Sequence, residues 1–349
     1  MTKPVRAFVV DVANILFRCA AMQKIGDKSH FARGAEQRDL VGLSMHVSLL
    51  SINKWYRKYP CDLIVFAFEG SNNWRKRYTA DNSTQVRMQY KANRVPDPEM
   101  QHFFELMDSF KTIISEHTSI ICLTADGMEG DDMIGGYCEL HPEQDITILS
   151  GDKDYIQLLR RPNIRLVNPD NGKLRNQPGD KDYEADIDYW MFLKCVRGDS
   201  GDNVPSAYPR VRETKIKEAY NDPYHRLNFM NELWQDPLSK VEHKVGDLFK
   251  HNEVLMDLTK QPPEIKTKLH ETIKFLVDPV NQKRYSHFHF LRFLAKFDLM
   301  VVTEKINFFM DMFTHNTRYR KGQLLLTESS LPERGTKHVE PPANPLLEF

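Results

Sequence analysis

The sequence predicts an α/β fold: a central, mostly parallel sheet flanked by helices, followed by a mainly helical C-terminal region. Three observations predict it. Short, nearly continuous apolar runs recur through the first half of the chain. Longer amphipathic stretches separate them. Beyond about residue 180 the pattern turns helical, with breaks at Pro205, Pro209, Pro223, Pro237, Pro262, Pro263 and Pro279. Strands covered on both faces read as apolar, β-branched runs. Strand–helix alternation implies parallel strands joined by right-handed crossovers.

Taken in order, strands are expected at "AFVV" (7–10), "LIVFAF" (63–68), "SIICLTA" (119–125) and "DITILS" (145–150), with helices near 36–58, 100–117 and 131–140. "RLVNPDNGKLR" (165–175) sets two short runs around Asn-Pro-Asp-Asn-Gly, the composition of a hairpin turn. The stretch 327–349 carries Pro332, Pro341, Pro342 and Pro345 and few large apolar residues before its last four, which is the composition of a disordered tail. The expected divisions are an α/β domain over 1–180, a helical region over 181–326, and the tail over 327–349. No internal repeat is visible.

Overall composition excludes several classes. Lys+Arg and Asp+Glu both number 48, so net charge gives no sign of a nucleic-acid partner, although segregated charge can hide in a neutral total. The five cysteines form no CxxC pair, which argues against a disulfide framework or a thiolate zinc site and fits a reducing compartment. No apolar run approaches the roughly 18 residues of a membrane span. Asp11 interrupts the apolar stretch near the N-terminus, a poor signal peptide. A soluble, cytoplasmic monomer without membrane contact is expected.

Acids follow each expected strand. "AFVV" runs into Asp11, "LIVFAF" into Glu69, "SIICLTADGM" into Glu129, Asp131 and Asp132, and "DITILSG" into Asp152 and Asp154. In an open parallel sheet the carboxyl ends of the strands share one edge, where ligands bind. One such Asp alone is an ordinary helix N-cap. Four consecutive strand ends, with Asp199 and Asp202 in "RGDSGDNV", predict a single acidic pocket. Converging carboxylates repel and call for cations. Oxygen ligands suit a hard ion, Mg²⁺ with Mn²⁺ able to substitute, and the surplus of acids suits two ions placed for in-line phosphodiester cleavage. The histidines are scattered, and "HFHF" (287–290) reads as surface or core.

Residues 71–95, "SNNWRKRYTADNSTQVRMQYKANRV", hold six basic side chains against one acid, Asp81, with Trp74, Tyr78 and Tyr90 interleaved. On a helix Arg87, Lys91 and Arg94 would share one face, where like charges cost roughly 0.2–0.5 kcal/mol per pair and an external polyanion would relieve them. Aromatics beside cations suit nucleic acid, stacking bases while the cations take phosphates. Trp74, Arg75, Arg77, Arg87, Tyr90 and Arg94 are therefore candidate nucleic-acid contacts. Lys91 is the candidate for stabilising charge on a cleaved phosphate, with Asp152 as its catalytic partner.

"VVDVANILFR", "FEGSNNWRKRY", "YKANR", "MEGDDMIGGY", "SGDKDYIQL" and "RGDSGDNV", in that order from about residue 5 to 215, resemble the 5′ nucleases of the flap endonuclease superfamily, most nearly its phage ribonuclease H branch. The resemblance implies Mg²⁺-dependent 5′→3′ hydrolysis of RNA or DNA in duplex, with removal of RNA primers as its biological sense. It implies that Asp11, Glu69, Glu129, Asp131 and Asp152 surround a first metal and that Asp154, Asp199 and Asp202 lie toward a second. It further implies that Asp132 closes the acidic helix start, that Lys91 is the lysine of a helical arch over 71–98, and that the helical region over 181–326 binds DNA. Implied substrates are RNA–DNA hybrid and flap or duplex DNA. Two departures stand out. Glu69 replaces the family's usual Asp. "NVPSAYPRVRETKIKEAY" lacks the glycines of the family's helix–turn–helix, so Arg210, Arg212, Lys215 and Lys217 are the expected duplex contacts there.

Leu346, Leu347 and Phe349, after a proline-rich tether, are similar to the short peptides by which replication proteins hold a sliding clamp; a single-stranded-DNA-binding protein is a further expected partner. Two other readings compete. A Mg²⁺-dependent phosphomonoesterase would not need so long a basic face. A non-catalytic DNA-binding accessory protein leaves the surplus of acids without a purpose.

Overall fold

The computed structural model describes residues 3–22, 24–25, 28–29, 34–81, 88–94, 101–181, 183–237 and 240–328. The chain starts with β1 (Arg6–Asp11), α1 (Val12–Met22), a short pairing of β2 (Lys24–Ile25) with β3 (Lys28–Ser29), and α2 (Gly34–Lys58). It continues with β4 (Leu63–Ala67), α3 (Trp74–Asp81), α4 (Gln101–His117), β5 (Ile121–Leu123), α5 (Gly130–Leu140) and β6 (Asp145–Leu149). A 3-10 helix (Asp154–Arg160) then leads to β7 (Ile164–Val167). Among the described residues these strands form one five-stranded sheet in the order β5-β4-β1-β6-β7, every pair parallel.

The apolar runs become strands because both faces of the sheet are covered. Phe8 and Val10 of β1 face one layer together with Ile64 and Phe66, and pack against α1, α2 and α4. Their neighbours Ala7 and Val9 face the other layer with Val65, Ile146 and Ile148, against α5 and the 3-10 helix. Strand alternation with no polar face is what makes each run read as continuously apolar.

The run at 165–175 behaves differently from the expected hairpin. Its first half is β7, a fifth parallel strand beside β6, and its second half contributes only an antiparallel bridge between Val167 and Leu174. Leu166 and Val167 are both buried, on opposite faces, so this run is covered on both sides even though β7 is an edge strand. Gly172 turns the chain at φ +62° beneath Trp55, where a Cβ would lie 1.9 Å from the indole.

The second half holds α6 (Ile187–Arg197), α7 (Glu213–Asn221), α8 (Pro223–Asn231), a hairpin of β8 (Leu233–Gln235) with β9 (Glu242–Lys244), and α9 (Val245–Met256). The last helices are α10 (Pro263–Val277), α11 (His287–Lys296), α12 (Met300–Glu304) and α13 (Ile306–Glu328). Proline at the first turn of α8 and of α10 marks where each helix starts. These elements are not all apart from the sheet. Leu269 and Ile273 of α10 pack with α5, and Phe309, Met312 and Phe313 of α13 join the opposite core layer. Asn316 meets both backbone groups of Ile64 at 2.8 Å, replacing a strand neighbour where the shorter β5 does not reach.

Candidate active site

Parallel pairing brings the carboxyl ends of β1, β4, β5 and β6 to one edge. Asp11 ends β1 and is buried. Its Oδ1 accepts from Asn14 N at 3.1 Å, and its Oδ2 accepts from Ser150 Oγ at 2.9 Å and Tyr155 OH at 3.1 Å. Asn14 Oδ1 in turn accepts from Gly151 N at 2.9 Å, tying the loops after β1 and β6 together. Loss of hydration pushes the Asp11 carboxyl up to about 6, those hydrogen bonds pull against it, and Asp152 adds to the rise.

Glu69 follows β4. The loop after it can fold tightly because Gly70 lies against Ala125, where a Cβ would sit 1.8 Å from the Ala125 carbonyl oxygen. Glu69 Oε2 accepts from Gly130 N at 3.2 Å, at the start of α5. A helix N-terminus leaves backbone N–H groups for such an acid. Desolvation of the carboxyl, then repulsion from Glu129 and Asp11, pushes Glu69 up to about 7, while Lys91 and Gly130 N oppose the rise. The residue as a whole remains exposed, so solvent screening lessens that upward push.

Glu129, Asp131 and Asp132 offer oxygens within 4.8 Å of one another. They have different surroundings. Asp132 is fully buried: Arg75 donates to both its oxygens at 2.8 Å, Trp74 Nε1 donates at 2.9 Å and Glu129 N at 3.1 Å. It is the structural acid of the start of α5. Glu129 accepts from Arg75 at 2.8 Å and pairs with Lys91; burial pushes its pKa up, but those two cations outweigh it and hold it at about 2. Asp131, about a quarter exposed, lies 3.7 Å from Arg75, and desolvation together with its acidic neighbours raises its pKa.

On the β6 side, Asp152 Oδ1 accepts from Asp154 N at 2.9 Å. Lys194 of α6 pairs with Asp154 and stands 3.6 Å from Asp199. The loop at 199–204 closes on itself through mutual Asp199–Val204 backbone hydrogen bonds at 2.7 and 3.0 Å, with Gly201 N donating to Asp199 Oδ1 at 2.9 Å. Asp202 faces the turn at 88–94: Tyr90 OH lies 2.9 Å from it and 3.0 Å from Glu129, sharing one proton between them. Lys91 is 3.8 Å and Arg94 2.5 Å from Asp202.

That turn corrects the expected helix. Residues 88–94 form turns rather than α-helix, and Lys91 has φ +56°, so Lys91 and Arg94 do not share a helical face. Three contacts pin the turn onto the 199–204 loop: Lys91 N to Asp202 O at 2.8 Å, Asn93 Nδ2 to Ser200 O at 3.0 Å, and Asn203 Nδ2 to Gln89 O at 2.7 Å. Arg87 falls outside the described residues, as do Leu346, Leu347 and Phe349. Trp74, Arg75 and Tyr90, expected on the substrate face, are buried with relative exposures of 2%, 1% and 4%. Their polar atoms are aimed at Glu129, Asp132 and Asp202, so they hold the acids in place rather than meet a ligand. Arg77 is exposed, and Arg94, also exposed, pairs with Asp202. Of the expected duplex contacts, Arg210, Arg212 and Lys217 are exposed, while Lys215 pairs with Glu232 at 2.6 Å.

The sequence reading passed over Asn14, Ser150, Tyr155 and Lys194. Lys194 had a signal: it stands one helical turn before the Gly198–Asp199 turn, on the helix that carries Met191 and Cys195 into the core. Ser150 and Tyr155 had none beyond adjacency to Asp152.

With this geometry in place, known proteins can be compared. Residues 6–186 match the model of the 5′-3′ exonuclease family, N-terminal resolvase-like domain. The chain belongs to that family. It is 33% identical over 171 residues to a 5′-3′ exonuclease of Bacillus subtilis, covering 46% of this chain and 55% of that protein. It is 24% identical over 184 residues to a thermostable DNA polymerase I of Thermus filiformis, covering 51% of this chain and 22% of the polymerase. The chain thus spans about half of the exonuclease and less of the polymerase. Among solved structures, a bacteriophage T5 flap endonuclease in complex with DNA and metal ions superposes with TM-score 0.52 at 17% identity, over 78% of this chain and 98% of that one. The T5 5′-exonuclease with bound zinc gives 0.53 at 18%, over 77% and 98%. These likenesses establish the fold: a parallel sheet flanked by helices with a helical C-terminal region.

The residues fit a divalent cation. Asp11, Glu69 and Asp131 are oxygen donors with raised pKa values, Glu69 feels the charges of Glu129 and Asp11, and among the described residues no ion pair reaches Asp11, Glu69 or Asp152. Such a set keeps its charge only with an added cation. No described helix is long and apolar enough to cross a membrane.

Proposed function

We propose that the chain is a metal-dependent 5′→3′ nuclease of the ribonuclease H and flap endonuclease type, hydrolysing RNA primers and adjacent DNA from a 5′ end in phage DNA replication. One observation carries this reading: acids follow four parallel strand ends at one edge of the sheet, and the turn at 88–94 sets Lys91 against Glu129 and Asp202 and Arg94 against Asp202. Two Mg²⁺ ions, when bound, would supply an activated water and neutralise charge on the phosphate in flight. Asp11, Glu69, Asp131 and Asp152 would hold the first, and Asp154 and Asp199 the second. Ser150, Tyr155 and Asn14 keep Asp11 fixed. Lys91 and Arg94 leave Glu129 and Asp202 for an incoming phosphate and fix its position. Arg77, Arg210, Arg212 and Lys217 offer exposed charge to duplex backbone, an affinity that falls with salt.

The test is incubation with 5′-flap DNA and with an RNA–DNA hybrid, with Mg²⁺ or with EDTA, for wild type and Asp152→Ala. Short 5′ products are expected only from wild type with metal. Cleavage by the variant at the wild-type rate would overturn the site assignment; no metal-dependent cleavage of either substrate would overturn the nuclease reading. Lys91→Ala should lower turnover on the order of 10²-fold or more while leaving metal affinity within a few-fold, since its charge acts on the phosphate.

A further inference from the structure

A cavity of about 380 Å³ opens beside the acidic site, outside the machinery described above. Met88 of the basic turn, Pro205 next to the 199–204 loop, Leu248 of α9, and Trp234 and His243 of the β8–β9 hairpin line it. Its lining is mainly apolar, yet it is walled by elements that carry the site's own charges: Met88 stands three residues before Lys91, and Ser200 and Val204 belong to the loop that presents Asp199 and Asp202. The indole of Trp234 is held in place by a hydrogen bond from Nε1 to Ala207 O at 2.9 Å, and its ring centroid lies 5.0 Å from that of His243. A half-buried Trp fixed from behind, a neighbouring imidazole and a thioether form a flat, polarisable chamber of a size that small ligands occupy.

We propose that this cavity receives one unstacked nucleobase of the substrate. The inference rests on the nuclease reading and deepens it. A base, rather than a phosphate, is the occupant because the lining is mainly apolar and includes an indole and an imidazole, which suit the face of a base and not a bare charge. Arg197, whose Nη1 donates to Val211 O at 3.0 Å, lines the same space and can hold the sugar-phosphate leading into it. Base–aromatic stacking tolerates every base, so the pocket favours an unpaired nucleotide over a sequence. Such a nucleotide exists where a strand leaves a duplex, next to the bond to be cut. The hairpin and the basic turn, both bordering the cavity, would thereby select junctions over continuous duplex.

The experiment uses the whole chain and 5′-flap DNA. Single 4-thiothymidines are placed in turn at each nucleotide around the junction, the complex is irradiated in Ca²⁺, and crosslinked peptides are found by mass spectrometry. One position should link to Trp234, His243 or Met88. Replacing that nucleotide with an abasic residue should then raise the KM of wild type about 10-fold, within the range of one lost stacking contact. The same replacement should cost Trp234→Ala less than 2-fold, while Trp234→Phe keeps most of the wild-type penalty. Met88→Ala, at an exposed residue outside the hairpin, should reduce the crosslink in the same way. Crosslinks confined to other peptides, or abasic penalties equal in wild type and Trp234→Ala, would overturn the pocket even as metal-dependent cleavage of the unmodified flap persists. Absence of that cleavage would instead strike the nuclease reading.

Discussion

The acidic site has two ends, one against the sheet and one against the 88–94 turn and α6, and they differ in how their charge is balanced. At one end Asp11, Glu69 and Asp152 meet no ion-pair partner among the described residues, and burial and mutual repulsion drive Asp11 and Glu69 upward. At the other end Lys91, Arg94 and Lys194 are interleaved with Glu129, Asp202, Asp154 and Asp199, and Arg75 anchors Asp132 from below. The first end is built to be completed by an external cation. The second carries its own, which an incoming ion or phosphate must displace. The difference teaches that a count of acids does not give a count of metals: the balancing cations decide which carboxylates have an unmet need.

The largest effect should come from the buried cation that separates the structural acids from the functional ones. Arg75→Ala leaves Asp132 fully buried with no cation and removes a partner from Glu129. Breaking a buried pair from one side costs about 3–5 kcal/mol, so urea denaturation should show most of the stability gone. Arg75→Lys should also lose stability, because an ammonium cannot bond both Asp132 oxygens in the plane as the guanidinium does. A loss below about 1 kcal/mol would show that this end does not depend on its internal cation, and the comparison would fail.

A second prediction concerns the end without cations. Folding raises the Asp11 pKa from an ordinary value to about 6. Between the unfolded value and about 6 the folded chain keeps a proton that the unfolded chain has lost, so metal-free stability falls as pH rises through that window. The change amounts to roughly 2–3 kcal/mol, from about 1.4 kcal/mol per pKa unit. In EDTA the Tm of wild type should decline between pH 4 and 6, Mg²⁺ at pH 7 should restore it, and Asp11→Asn should flatten the metal-free decline. Parallel curves for wild type and Asp11→Asn would show that Asp11 is not the strained group.

The contrast also explains what was legible in the sequence. Strand ends were legible because a strand buried on both faces leaves an unmistakable apolar run, and the acid after it stands out. That Asp11, Glu69, Asp131 and Asp152 follow strands ending at one edge of the sheet could be read from parallel pairing alone. The basic stretch was legible as charge but not as placement. Arg75 and Trp74 read as ligand contacts, since composition cannot tell a cation facing solvent from one buried under three carboxylates. Lys91 and Arg94 read as one helical face because nothing local announces a left-handed turn at Lys91. Such a residue is held there by tertiary contacts, here to Asp202 and Glu129, that lie more than thirty residues away in the chain.

The smallest effect is the sharpest probe of the comparison. Lys194 stands between Asp154 and Asp199, where a second divalent ion would take its oxygens. Lys194→Met keeps most of the side chain's length and apolar packing, and removes only the charge. If the ammonium fills the role of a cation in the metal-free protein, its removal leaves two carboxylates that an ion can claim without displacing anything. Ca²⁺ binding measured by calorimetry should then tighten several-fold, on the order of 1 kcal/mol, at the second step of the isotherm. The first step should stay within 2-fold, because Asp11, Glu69 and Asp152 do not pair with Lys194. A tightened first step would place the lysine's influence at the wrong end. An isotherm unchanged in both steps would mean that the second ion, if it binds, uses other oxygens, and that Lys194 serves the phosphate alone.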